Sequence, residues 1–115
     1  MEEKIKISML CEFYGNMLTE KQFEFITDYY NNDLSLSEIA ENNNITRQAV
    51  RDILKKGTKK LFEYEEKLQI LEKKLQQEKR IQEIIEKLIK IQSEATDTKT
   101  AKEIEKIKKE LNCLI

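Results

Sequence analysis

Apolar positions recur at helical steps in every segment of the chain, and capping residues stand between the segments at matching intervals. From Glu3 to about Tyr14, Met9, Leu10, Phe13 and Tyr14 follow a helical spacing, with Ile5 and Ile7 before them. Gly15 and Asn16 end this helix in the usual manner of a helix C-terminus, and Met17 and Leu18 carry the apolar surface through the turn. Thr19 and Gln22 form a capping box, in which side chain and backbone satisfy each other's donors. It opens a helix to about Asn31, with Phe23, Ile26 and Tyr30 on one face and Phe25 and Tyr29 widening it. Asn31, Asn32 and Asp33 then make a turn. Ser35 and Glu38 form the next capping box, for a short helix that turns Ile39 and Ala40 to the core and ends near Asn42 to Asn44. Thr46 caps its successor, in which Ala49, Val50, Ile53 and Leu54 make a single apolar stripe.

A glycine costs about 1 kcal/mol inside a helix relative to alanine, so Gly57 marks either the end of that helix or a close backbone approach. Beyond it, Leu61, Tyr64, Leu68, Leu71 and Leu75 recur as the a and d positions of a heptad. Glu78 and Gln82 break the register, and Ile81, Ile84, Ile85, Leu88 and Ile91 define a new stripe. A continuous helix from Lys59 to Gln92 would be about 50 Å long at about 1.5 Å per residue, too long for a small globular domain. The polar stretch from Ser93 to Thr98 is the one turn in this half. The last helix carries Ala101, Ile104, Ile107, Leu111 and Leu114, with Thr100 and Glu103 as its capping box, and folds back on Ile81 to Ile91.

These elements predict an all-α protein. A small bundle with a helix-turn-helix occupies residues 1–60, and a charged tail over 61–115 consists of a long helix and a C-terminal helical hairpin. The final helix is too short to cover the heptad stripe Leu61, Tyr64, Leu68, Leu71 and Leu75. That stripe is expected to pack on the bundle, pair with a second copy or dock a partner, with a homodimer favoured.

Composition agrees with this reading, since the chain has no proline, only two glycines and a charged fraction of 37%. The net charge of −1 does not mark a nucleic-acid binder, but the charge is unevenly placed. Residues 1–34 hold three lysines against seven acids, residues 35–60 hold six basic residues against three acids, and the tail holds twelve of each sign. Positive charge is thus concentrated on the helix-turn-helix and its exit, the local pattern that matters for phosphate binding. There is no histidine, and Cys11 and Cys113 lie at opposite ends of the chain, which leaves no zinc-ligand spacing. Cys11 reads as a small buried apolar residue and Cys113 as a thiol near a frayed end. With neither a secretory leader nor a membrane-length apolar run, a cytoplasmic protein is expected. Without a phosphate loop or a cluster of metal ligands, the expectation is a protein that is not an enzyme and takes no cofactor.

The candidate chemistry lies on the helix after Thr46. Opposite its apolar stripe stand Thr46, Arg47, Gln48, Arg51, Lys55 and Lys56, donors of the kind that reach base edges and phosphates when a recognition helix enters a groove. Lys59 and Lys60 follow, divided between phosphate contact and a plain solvated face. Two residues depart from the usual motif. Asn43 stands where a third apolar residue commonly packs under the turn, and Asn44 replaces the more usual glycine.

The run from Leu18 to Leu68, with LTEKQ, DLSLSEIAE, TRQAV and YEEKL, resembles the promoter-reading region four of bacterial sigma factors. It is more similar still to the YlxM family of small bacterial helix-turn-helix proteins. That likeness extends over Phe13 to Gln22 and along the charged tail, nearly the whole chain. The resemblance implies a cytoplasmic accessory protein of the signal recognition particle pathway, with the particle's RNA or its GTPase as partner. Two other functions are open to such a chain. One is a DNA-binding transcription regulator; the other is an adaptor whose tail binds protein.

Overall fold

The computed structural model describes residues 1–115 and is all-α. Its six α-helices are α1 (Glu3–Tyr14), α2 (Glu20–Ile26), α3 (Leu36–Asn43), α4 (Arg47–Leu68), α5 (Ile70–Glu94) and α6 (Thr98–Asn112). A 3-10 turn at Gly15–Met17 joins α1 to α2, and α2 runs on into a π-helical turn at Thr27–Asn31. None of the helices is long and apolar enough to cross a membrane. The chain divides into two compact units, Met1–Leu71 and Glu72–Ile115.

In the first unit α1, α2 and α3 all pack against α4. The core consists of Ile7, Leu10 and Tyr14 from α1, Phe25 and Ile26 from α2, Ile39 from α3, and Val50, Leu54 and Leu61 from α4. Cys11 is buried beside them, while Cys113 is exposed. Both capping boxes expected in this unit are formed. Thr19 Oγ1 accepts the Gln22 N–H at 3.2 Å and Gln22 Oε1 accepts the Thr19 N–H at 3.1 Å. Ser35 and Glu38 make the same reciprocal pair, each bond at 3.1 Å.

The inward face of α2 differs from the expected one. Gln22, Phe25 and Ile26 are buried, whereas Phe23 is 44% exposed. A buried amide is tolerated there because Gln22 spends its oxygen on the capping box. The Phe23 ring instead lies across Gly15, where an added Cβ would meet it at 2.8 Å. Gly15 has a right-handed backbone with φ −56°, so it serves this close approach and not the left-handed helix end that the pattern suggested.

Gly57 has the second of its two expected roles. The helix does not end there, and a Cβ at this position would stand 2.7 Å from Ile26 Cδ1 and 3.3 Å from Gln22 Cβ. Gly57→Val is therefore expected to lower the stability of the first unit by about 2 kcal/mol, the usual cost of overpacking a core. Urea unfolding followed by circular dichroism measures it. Because α4 passes through Gly57 and reaches Leu68, the expected boundary after Lys60 falls inside a helix, and the first compact unit extends to Leu71.

The continuous helix expected from Lys59 to Gln92 is broken at Gln69, which adopts a left-handed backbone with φ 54°. The break has a tertiary cause. The Tyr14 hydroxyl donates to Glu65 Oε1 at 2.6 Å and accepts the Ile70 N–H at 3.1 Å. Glu65 Oε1 also accepts the Leu71 N–H at 3.1 Å. Tyr14, distant in sequence, and Glu65, in the last turns of α4, thus satisfy the first orphan donors of α5, which a straight helix would have bonded internally.

The second unit is the expected helical hairpin. Ile81 and Ile85 of α5 and Ile104 of α6 are buried, while Ile107 and Leu114 at the outer end of the α6 stripe are exposed. Gln92 Nε2 donates to the Ala101 carbonyl at 3.1 Å and to Glu105 at 3.0 Å, and Lys108 donates to Gln92 Oε1 at 3.0 Å. The cap of α6 is Asp97 and not the expected Thr100 and Glu103 pair, since Asp97 Oδ2 accepts the Thr100 N–H at 3.1 Å and its hydroxyl at 2.7 Å. The Thr100 hydroxyl, and next its N–H, hold the Asp97 carboxyl below its ordinary 3.8. A carboxyl depressed in the folded state contributes stability that is fully present above the unfolded value and is lost as pH falls through the lowered one. Asp97→Ala should accordingly speed amide exchange in the first turn of α6 near pH 7. The difference from the unmodified chain should narrow in acid below that range.

Candidate nucleic-acid interface

The two asparagines of the turn between α3 and α4 take over the jobs of the residues they replace. Asn44 is left-handed at φ 55°, the conformation for which glycine is the common choice. The following Ile45 N–H reaches the Ala40 carbonyl at 3.1 Å. Asn43 donates from Nδ2 to the Ile39 carbonyl at 2.8 Å and accepts from Lys21 Nζ at 3.2 Å. A hydrogen-bonded tether to α2 thus stands where the motif commonly has apolar packing.

Thr46 starts α4 by accepting the Ala49 N–H at 3.0 Å. Its oxygen is spent on the helix end, so of the six candidate residues it is the one that positions the others. Val50 and Leu54 are buried and Ala49 and Ile53 half-buried, as the stripe predicts. On the opposite side Arg47, Gln48, Arg51, Lys55 and Lys56 are all exposed. The structure brings these residues onto one helix face. Arg47, Arg51 and Lys55 stand at four-residue steps, a cationic track with a rise of about 6 Å per step. The ion pairs of the chain join Lys4 to Asp33, Lys21 to Glu24, Lys74 to Glu78 and Lys108 to Glu105, and none draws on a cation of α4. Gln48 Nε2 donates to Asp52 Oδ1 at 2.9 Å, which places one carboxylate within the track. Lys59 joins the face, because α4 continues past Gly57, and with Asp52, Lys55 and Lys56 it lines a shallow hollow.

The stripe assigned to an oligomer or partner interface is largely consumed within the chain. Leu61 and Leu71 are buried, Tyr64 and Leu75 are half-buried, and only Leu68 is exposed, at 47%. The Tyr64 ring lies tilted against that of Tyr14, their centroids 5.9 Å apart, and its hydroxyl donates to the Met17 carbonyl at 3.4 Å. Covering Leu61 and Leu71 thus requires no second copy. The reason is the length of α4, which carries the first part of the heptad back across the bundle.

Tyr29 and Tyr30 are the residues near this face that the periodicity assigned to the core. Both are half-buried, and with Leu36, Arg51, Leu54, Lys55 and Thr58 they line a cleft beside α4.

A left-handed turn between two capped helices, the second burying one stripe and exposing cations on the other, defines a helix-turn-helix protein. Known proteins agree with that class. The family described as "Putative helix-turn-helix protein, YlxM / p13 like" matches residues 1–108, and the chain belongs to this family, UPF0122. A UPF0122 protein of Clostridium acetobutylicum is 43% identical over 112 residues, covering 97% of each chain. One from Clostridium kluyveri is 44% identical over 108 residues, 94% of each. A third, from Clostridium perfringens strain 13, is 53% identical over 83 residues, 72% of this chain and 73% of its own.

Proposed function

We propose that this protein is a non-catalytic regulator that binds nucleic acid through the exposed face of α4 and acts in the signal recognition particle pathway, on the particle's RNA or its GTPase. One observation carries the nucleic-acid reading. Val50 and Leu54 are buried while Arg47, Arg51, Lys55 and Lys56, on the other side of the same helix, are exposed and outside the chain's ion pairs. The pathway rests on the likeness to the YlxM family. Titrating the purified chain into labelled particle RNA, with an unrelated RNA of equal length as competitor, tests both parts. Binding that resists the competitor supports the reading; equal displacement removes the particle from it.

The dimensions of α4 favour a second reading, a DNA-binding regulator. An α-helix about 10–12 Å across fits the B-form major groove of about 12 Å, whereas the A-form major groove is too narrow for side chains to read. Footprinting on genomic fragments separates the two, because selective protection of duplex DNA favours the regulator.

A further inference from the structure

The π-helical turn Thr27–Asn31 adds a residue to its helical turn, and π turns of this kind are frequent at functional sites. Here Tyr29 and Tyr30 both reach the cleft beside α4, with their rings edge to face at 5.0 Å. Both rings remain half-buried, and neither hydroxyl has a hydrogen-bond partner within the chain. The cleft holds about 300 Å³, at the low end for a small-ligand site and enough for one flat ring system. Its two charged residues are Arg51 and Lys55, both members of the cationic track. The other side of the same tyrosines is electrostatically unlike this one. Glu3 and Asp33 line the neighbouring hollow, and its one cation, Lys4, is tied to Asp33 at 2.7 Å. An anion is therefore drawn to the α4 side of the two rings and repelled from the other.

We propose that the cleft takes one unstacked nucleotide, its phosphate on Arg51 and Lys55 and its base against Tyr29 and Tyr30. The nucleic acid recognised then carries an unpaired residue beside a helical stem. This proposal rests on the reading of α4 as the nucleic-acid-binding face and adds the class of structure that face prefers. Base stacking on aromatic side chains tolerates any base, and the free tyrosine hydroxyls supply donors for a base edge. A nucleotide already outside the stack is favoured because its unstacking needs no further free energy.

The test uses the full chain and two stems, one perfect and one identical but for a single bulged 2-aminopurine, each made as RNA and as DNA. The bulged stem should bind about tenfold more tightly, in line with the stacking energy of one base, and the fluorescence of the bulged base should be quenched on binding. The arm that shows the preference identifies the sugar. Tyr29→Leu with Tyr30→Leu should remove both the preference and the quenching while keeping the affinity for the perfect stem; the Phe pair should retain both. A melting curve establishes that each variant is folded, and the quenching is read on the unmodified chain, independently of any variant. Equal affinity for the two stems with an unquenched probe would overturn the proposal while leaving the α4 reading in place. Failure to bind either stem would overturn both. An unquenched probe combined with tyrosine-dependent binding of the particle's GTPase would also overturn it, and would assign the cleft to a protein partner.

Discussion

Val50→Asp is expected to abolish the cooperative unfolding transition of the first unit at neutral pH. Val50 is fully buried in α4, the helix on which α1, α2 and α3 all pack, so no edge of the core is available to receive a carboxylate. Either the charge is buried or the core opens, because an uncompensated ion in an apolar site costs several kcal/mol even after neutralisation by a shifted pKa. A domain of this size has a total stability of about 5–15 kcal/mol, and the lost valine packing adds to the deficit. The helical hairpin beyond Glu72 is a separate compact unit, so part of the helical signal should survive. The measurement is a thermal melt by circular dichroism with near-ultraviolet detection of the tyrosines, all of which lie in the first unit. A sharp near-ultraviolet transition at the original temperature would show that the α4 stripe is not a core.

Arg47→Ala with Arg51→Ala should weaken nucleic-acid binding and leave that same melt unchanged. Both side chains are exposed at the start of α4, one turn apart, so their removal exposes no core and unpairs no buried group. Each phosphate contact releases condensed counterions, and losing two should reduce the logarithmic salt slope by about 1.8 on B-form DNA and about 1.4 on a single strand. Between about 50 and 200 mM salt, the unmodified chain should then lose about tenfold more affinity than the variant. Fluorescence anisotropy across that salt range reads the difference directly. Identical slopes would mean that α4 is a scaffold, and would favour the adaptor reading in which the tail binds protein.

Both predictions concern a helix whose two faces were legible in the sequence. Every capped helix start up to α4 was readable because a capping box is a local bargain: Thr19 with Gln22, and Ser35 with Glu38, lie within one turn, and Thr46 needs only the N–H of Ala49. The same holds for the stripe of Ala49, Val50, Ile53 and Leu54 and for the cations opposite, since helical periodicity alone sorts them. Family membership was legible in turn through the runs over Leu18 to Leu68.

What the tertiary structure decided were the contacts between residues far apart in the chain. Periodicity tells how many apolar residues share a face but not which partner covers them. Leu61 and Leu71 therefore read as an open stripe although the chain buries them. Gly57 left two roles open until Ile26 and Gln22 were found against its backbone. Phe23 and Gln22 exchanged places because a neighbouring glycine could admit a ring and a capping box could occupy an amide. The break at Gln69 interrupts a regular heptad for the sake of Tyr14, more than fifty residues earlier. Local hydrogen bonds and helical spacing are written into neighbouring residues, and these the sequence determined by itself. The length of α4, the joint to α5 and the cleft at Tyr29 and Tyr30 depend on shape matching between distant segments, which exists only once the chain has folded.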